Sequence, residues 1–236
     1  RQFDRVNKIY SPINFGGIKG INFKLAGLKI YQQAGDVANP FFKETRNAQE
    51  FLEWHTKENY TKYCLSYVYT YRDFDKLTRG LAYTCRVCTK FSGDSSYNTG
   101  MITFQSNGNE VPERARHLTL AHELGHSLGS NHDHQPLASG QIESENRTEC
   151  AADEKKGRFI MHAIANDGHK PNHEVLSPCS LTNITRNLRR LLAINPDMKH
   201  DTQTNCFVKV DTPDCGNGVI ESGEECDCGR NEEVSL

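Results

Sequence analysis

Five residues within one short stretch constrain this chain more than anything else in it: His122, Glu123, His126, Gly129 and His132. An α-helix turns about 100° and rises about 1.5 Å per residue, so His122 and His126 fall one turn apart on one face, with Glu123 beside them. A straight helix would carry residue 132 further along its axis and away from that face. Gly129 resolves this, because a residue without a side chain takes up positive φ, ends the helix and turns the chain back toward the two imidazoles. Leu120, Leu124 and Leu128 form an apolar stripe and Pro112 suits a helix start, so the pattern predicts a helix over 113–128. An amphipathic helix with surface histidines is the plain alternative. By composition, a chance match to all five positions arises in roughly one such chain in ten thousand.

Three neutral imidazoles make an incomplete tetrahedral set for zinc, leaving one position for water, as in catalytic rather than structural sites. The expected chemistry is hydrolysis of a peptide bond, with zinc-bound water as nucleophile and Glu123 as general base that later returns the proton to the leaving amine.

The extended motif followed by Asp133 resembles the metzincin metalloproteases, and within them the adamalysin (ADAM) branch. Gly157-Arg158-Phe159-Ile160-Met161 stands where that family carries its Met-turn, which implies that Met161 forms an apolar floor beneath the histidines. Further stretches narrow the likeness: Tyr63-Cys64-Leu65-Ser66-Tyr67-Val68, Arg72-Asp73-Phe74-Asp75, Asn98-Thr99-Gly100-Met101-Ile102-Thr103, and Cys215-Gly216-Asn217-Gly218 with Gly223-Glu224-Glu225-Cys226-Asp227-Cys228-Gly229. Together they resemble the kuzbanian-type, alpha-secretase-like subfamily more than its tumour-necrosis-factor-converting sister group. The resemblance implies an α/β metzincin catalytic domain over 1–210, a mixed twisted sheet with flanking helices, then the start of a disintegrin domain over 211–236. It also implies protein substrates, single-pass membrane proteins shed near the cell surface, and tissue inhibitors of metalloproteases as partners. Asp133 is expected to turn inward and brace the backbone without touching zinc.

Composition agrees with a secreted or cell-surface enzyme. The 236 residues suffice for a sizeable core, and a net charge of −2 gives no electrostatic case for nucleic acid or a membrane surface. Nine cysteines and glycosylation sequons at Asn59, Asn146 and Asn183 point outside the cytosol. The chain shows neither signal peptide nor membrane span and starts at Arg1, so it is expected to be a piece of something longer, beginning inside the family's first helix and lacking its first strand.

Along the chain, 21–31 reads as a strand, 44–59 as a helix, 63–71 as a second strand and 99–105 as a third. If the family fold holds, that third strand is the antiparallel edge to which an extended substrate adds by backbone hydrogen bonds. A last helix is expected from near Thr182, with Ile184, Leu188 and Leu191 on one face. Met161-His162-Ala163-Ile164-Ala165 should wall a roomy apolar pocket on the primed side, with His162 replacing the tyrosine usual in the turn. His117 and His134 read as solvated or structural.

By resemblance, Cys150 pairs with Cys179, and Cys206 with Cys85 or Cys88; Cys64 lacks its usual partner and can pair with whichever of Cys85 and Cys88 remains. In the tail, the positions matching the disintegrin calcium site are Asp214 and Val219 by backbone carbonyl, and Asn217, Glu221, Glu224 and Asp227 by side chain, a hard-oxygen set suited to Ca²⁺. An acidic solvated linker is the alternative. Two other functions remain open: a zinc-binding pseudoenzyme, and an adhesion module acting through the disintegrin portion.

Overall fold

A computed structural model describes residues 2–32, 39–133, 148–194 and 202–209. Four helices surround a three-stranded sheet. They are α1 (Gln2–Tyr10), α2 (Ala48–Thr56), α3 (Glu113–Leu128) and α4 (Pro178–Leu192); the strands are β1 (Ser66–Thr70), β2 (Gly80–Ala82) and β3 (Thr99–Thr103). A small antiparallel pair, β4 (Gln105–Ser106) and β5 (Asn109–Glu110), leads into α3.

The sheet is mixed, in the order β1-β3-β2: β1 runs parallel to β3 from Ser66↔Thr99 to Thr70↔Thr103, and β2 runs antiparallel to β3. This corrects the expectation for 99–105. That strand is central and buried at all five positions, because it is covered by β1 on one side and β2 on the other. The antiparallel edge is β2, three residues long and too short to leave a periodicity in the sequence.

Two of the helices start where a side chain satisfies free N–H groups. Asn47 caps α2, its side chain accepting from the backbones of Gln49 and Glu50. Ser177 caps α4 by accepting from Ser180 N–H at 3.1 Å, and Pro178 occupies the first turn, where a missing N–H does no harm. That cap sets the start of the last helix four residues before Thr182. Helix α2 is likewise narrower than 44–59, and β1 narrower than 63–71.

The larger core cluster joins α1, α3, α4 and the Met161 turn through Val6, Tyr10, Leu120, Leu124, Ile184 and Leu188. A smaller one lies under α2, where Phe51, Leu52, Phe74 and Met101 meet. Tyr10, wholly buried, donates its hydroxyl to the Ala121 carbonyl at 2.7 Å and so ties α1 to the middle of α3.

The expected strand over 21–31 does not form. Its segment runs without ladder hydrogen bonds, and Asn7 takes up the backbone of Phe23 instead, accepting from its N–H at 2.8 Å and donating to its carbonyl at 3.1 Å. Leu25, Leu28 and Ile30 are 60 %, 75 % and 69 % exposed there.

Among the described residues two disulfides form, Cys88–Cys206 and Cys150–Cys179, which resolves the open choice for Cys206. Cys64 does not pair with Cys85. The Cys64 thiol donates to the Cys206 carbonyl at 2.9 Å, beside the first disulfide, whereas the Cys85 thiol is turned to Asn187 Oδ1 at 3.0 Å.

Candidate metal centre

Helix α3 spans the predicted 113–128. Its end is built on Gly129, at φ 117°, whose N–H reaches back to the carbonyls of Gly125 and His126. A glycine is needed there twice over. The φ is unfavourable for any other residue, and a Cβ would sit 2.9 Å from the Cβ of Asn187. Ser130 N–H also bonds to the Gly125 carbonyl, at 2.9 Å, and completes the reversal that returns His132 to the helix face.

The three imidazoles converge. Nε2 of His122 and His126 lie 3.1 Å apart, those of His126 and His132 3.1 Å, and those of His122 and His132 3.2 Å. The opposite ring nitrogens of the two helix histidines are engaged by carbonyls: His122 Nδ1 lies 2.7 Å from the Ile160 oxygen and His126 Nδ1 2.8 Å from the Ser130 oxygen. A carbonyl can only accept, so these contacts place the ring proton on Nδ1 and leave the Nε2 lone pair facing inward. Burial keeps the rings neutral, pushing His122 down to about 3 and His126 down to about 4, and lowering His132. Facing lone pairs repel unless a cation lies among them. Tetrahedral zinc with N bonds of about 2.0–2.1 Å holds its nitrogens roughly 3.3 Å apart, close to the separation seen here. The donor set therefore fits zinc, and three imidazoles leave one position open.

Glu123 is buried, 4 % exposed, and burial pushes its carboxyl up to about 8. Among the described residues, its Oε2 has no hydrogen-bond partner. It packs against Gly80 on the edge strand β2.

Met161 is fully buried, its sulfur pressed against Gly125 on the underside of the helix turn that bears His122 and His126. Asp133 turns inward as expected and stays out of the histidine cluster. Its N–H bonds to the Met161 carbonyl at 2.8 Å, and its Oδ1 accepts from Ser180 Oγ at 3.0 Å and from Ser177 Oγ. The aspartate thus links the end of the motif, the Met161 turn and the cap of α4.

Beyond the turn, His162 is buried and its Nδ1 accepts from Ile164 N–H at 3.1 Å, while Ala163, Ile164 and Ala165 are exposed. His117 is buried within α3, a structural position. His134 and the expected calcium positions, Asp214, Asn217, Val219, Glu221, Glu224 and Asp227, lie outside the described residues.

Sequence reasoning missed the Ile160 and Ser130 carbonyls that orient two of the ligands, the Ser177 and Ser180 hydroxyls that bond Asp133, and Gly80 beside Glu123. Backbone carbonyls carry no side-chain signature. Ser177-Pro178 does carry one, as a cap followed by proline, whereas Gly80 belongs to a strand too short to show a pattern.

Comparison with known proteins agrees with this geometry. Residues 1–190 match the family described as "Metallo-peptidase family M12B Reprolysin-like". The chain is 36 % identical, over 97 % of its length, to the human "Disintegrin and metalloproteinase domain-containing protein 10". It is 36 % identical over 95 % of its length to the Caenorhabditis elegans homologue of that protein, and 27 % identical over 95 % to the same organism's homologue of protein 17. The higher identity with protein 10 agrees with the kuzbanian-type likeness. The chain spans 30 % of the human relative and 26 % of the first nematode one.

Proposed function

The chain belongs to the reprolysin-like M12B metallopeptidases, and on that footing we propose that it is a zinc-dependent endopeptidase whose Glu123 serves as general base. The observation that carries this reading is the convergence of three neutral imidazole nitrogens beside a buried carboxyl on the same helix.

His122, His126 and His132 would hold the metal. Zinc bound there supplies Lewis acidity toward water and toward a peptide carbonyl. The carbonyls of Ile160 and Ser130 keep two of the ligand rings in the tautomer that leaves Nε2 free to bind. Glu123 takes a proton from the attacking water on a carboxylate oxygen and delivers it to the leaving amine nitrogen. A carboxyl raised toward neutrality by burial is suited to both halves of that transfer, and a dication held by the three histidines would lower its proton affinity so that it starts as a base. Met161, Gly129 and Asp133 hold the ligands in place. An extended substrate would add to the free side of β2, the antiparallel edge nearest α3.

The wider reading is an extracellular or cell-surface protease that sheds ectodomains of single-pass membrane proteins and is open to tissue inhibitors of metalloproteases. In it, 1–210 forms the catalytic domain and 211–236 begins a disintegrin domain with calcium held by Asp214, Asn217, Val219, Glu221, Glu224 and Asp227. The family and the relatives' names support the disintegrin and metalloproteinase assignment. The likeness of the quoted motifs supports the rest.

The test is cleavage of a quenched peptide with and without a zinc chelator, run beside Glu123→Gln. Expected are loss of cleavage on chelation, recovery with zinc, and a fall in kcat of about 10²- to 10⁴-fold for the variant with zinc still bound. Equal rates for both proteins would overturn the base assignment. Stoichiometric zinc without cleavage by the native chain would favour an inactive zinc-binding protein.

A further inference from the structure

Gly80 lies on the edge strand β2, opposite Ile102 of β3, and its backbone is not in the left-handed region. Conformational need therefore does not explain a glycine here, in an element where glycine is disfavoured. The explanation is space. A Cβ at this position would stand 2.5 Å from Glu123 Oε1, 2.7 Å from Cγ and 2.9 Å from Cδ. Such contacts essentially never occur, and because Cγ is among them, turning the carboxylate alone cannot relieve them.

Neither partner can easily give way. β2 is pinned from behind by β3, buried along its whole length, and by the Thr103 N–H bond to the Arg79 carbonyl at 2.9 Å. Glu123 sits on α3 between the two ligand turns, where a helical side chain keeps to two χ1 wells. The carboxyl also has no hydrogen-bond partner at Oε2 among the described residues that would hold it otherwise.

We infer that Gly80 is a positioning residue: the missing Cβ forms the slot that holds the Glu123 carboxyl in its working place beside the three imidazoles. This rests on the proposed role of Glu123 and adds to it the element that aims that side chain. A bare edge strand thereby serves two ends, leaving its outer backbone to a substrate and its inner face to the base.

The experiment is Gly80→Ala, made both in the native background and with Glu123→Gln. In the native background kcat is expected to fall about 10- to 100-fold, as for a reacting group displaced by about 1 Å, with KM within about twofold and zinc stoichiometry unchanged. With Glu123→Gln already present, Gly80→Ala should add less than about twofold, since a group acting through a side chain has no further effect once that side chain is disabled. An effect of equal size in both backgrounds, or one confined to KM, would make Gly80 a substrate-docking residue and overturn the inference.

Two further readouts do not depend on turnover. Acetohydroxamic acid, a zinc chelator with a hydroxyl able to donate to a nearby carboxylate, should bind zinc-loaded Gly80→Ala about tenfold more weakly than the native protein, with no such difference between the two Glu123→Gln proteins. Crystal structures of the two metal-free proteins should show the Glu123 carboxyl displaced by about 1 Å or more. An unmoved carboxyl, with β2 shifted to admit the methyl, overturns the inference whether or not the chain cleaves peptides. A native chain that binds zinc without cleaving would defeat the proposed function and still leave Gly80 to be judged by these two measurements.

Discussion

Around the three imidazoles, polar groups are answered from several elements at once: His122 by Ile160, His126 by Ser130, Asp133 by Ser177, Ser180 and the Met161 turn. Along 19–32 the chain joins no ladder, and the ties it makes are exposed or half-buried. Asn7 binds Phe23, Tyr10 meets Phe23 edge-on, and Leu25, Leu28 and Ile30 stand largely in solvent. Both stretches are tied to distant residues, Lys29 and Tyr31 through Glu58 among them; what separates them is burial, since the Asp133 ties are buried and those of 19–32 are exposed or half-buried.

The contrast can be broken in order of expected effect. Asp133→Ala removes an anion that three elements share and leaves two buried hydroxyls without their acceptor, so unfolding free energy should fall by about 2–4 kcal/mol in a denaturant titration. A loss under about 0.5 kcal/mol would mean that the histidine side is not held together through this residue.

Gly125→Ala is next. The added methyl meets the Met161 sulfur in a closed space, and overpacking of this kind costs about 1–3 kcal/mol. Thermal denaturation of the metal-free form checks it, and unchanged stability would show that the floor beneath the helix is loose.

Acidity gives a third, smaller effect with a definite sign. Burial holds the folded-state pKa of His122 at about 3 and of His126 and His55 at about 4, below the ordinary 6.5. The unfolded chain thus binds more protons below 6.5, and these groups make stability rise with pH up to that point. Glu123 acts oppositely. Its folded value of about 8 lies above the ordinary 4.5, so its contribution declines as pH rises between the two. Three histidines outweigh one carboxyl below 6.5, and only the carboxyl remains above it. With zinc chelated, the melting midpoint should peak near pH 6.5. A midpoint still climbing at pH 8 would contradict the buried carboxyl.

Leu28→Ser should do least. An exposed side chain outside any ladder should change stability by less than about 0.5 kcal/mol. A loss above about 1.5 kcal/mol would show that 19–32 is as firmly built as the histidine side and would erase the comparison.

The histidine side was legible in the sequence because its signals are local. Pro112 and Gly129 bracket α3, the histidine spacing follows from the helix repeat, Asp133 directly follows the motif, and Met161 was found through the family likeness. The Cys150–Cys179 bridge followed from the family likeness. What was not legible depends on partners. The run over 21–31 has the residues of a strand and no ladder to join, since β-structure is a property of pairs. The central place of β3 is decided by β2, whose three residues have no pattern of their own. Gly80 escaped notice because its meaning lies in Glu123, 43 positions away.

The hydroxyl of Tyr10 meets the Ala121 carbonyl across 111 residues, and the carbonyl that orients His122 lies 38 residues downstream of it. Helical turns form within about a microsecond, whereas contacts between distant parts of a chain wait for the search that closes large loops. Helix α3 can therefore be in place early, with its imidazoles still free to rotate and the residues that aim them still elsewhere. A metal ion arriving at that stage meets loosely tethered ligands; one arriving after the chain has closed meets an aligned set. For zinc held by these three histidines, the order of folding and binding would then matter as much as the final arrangement.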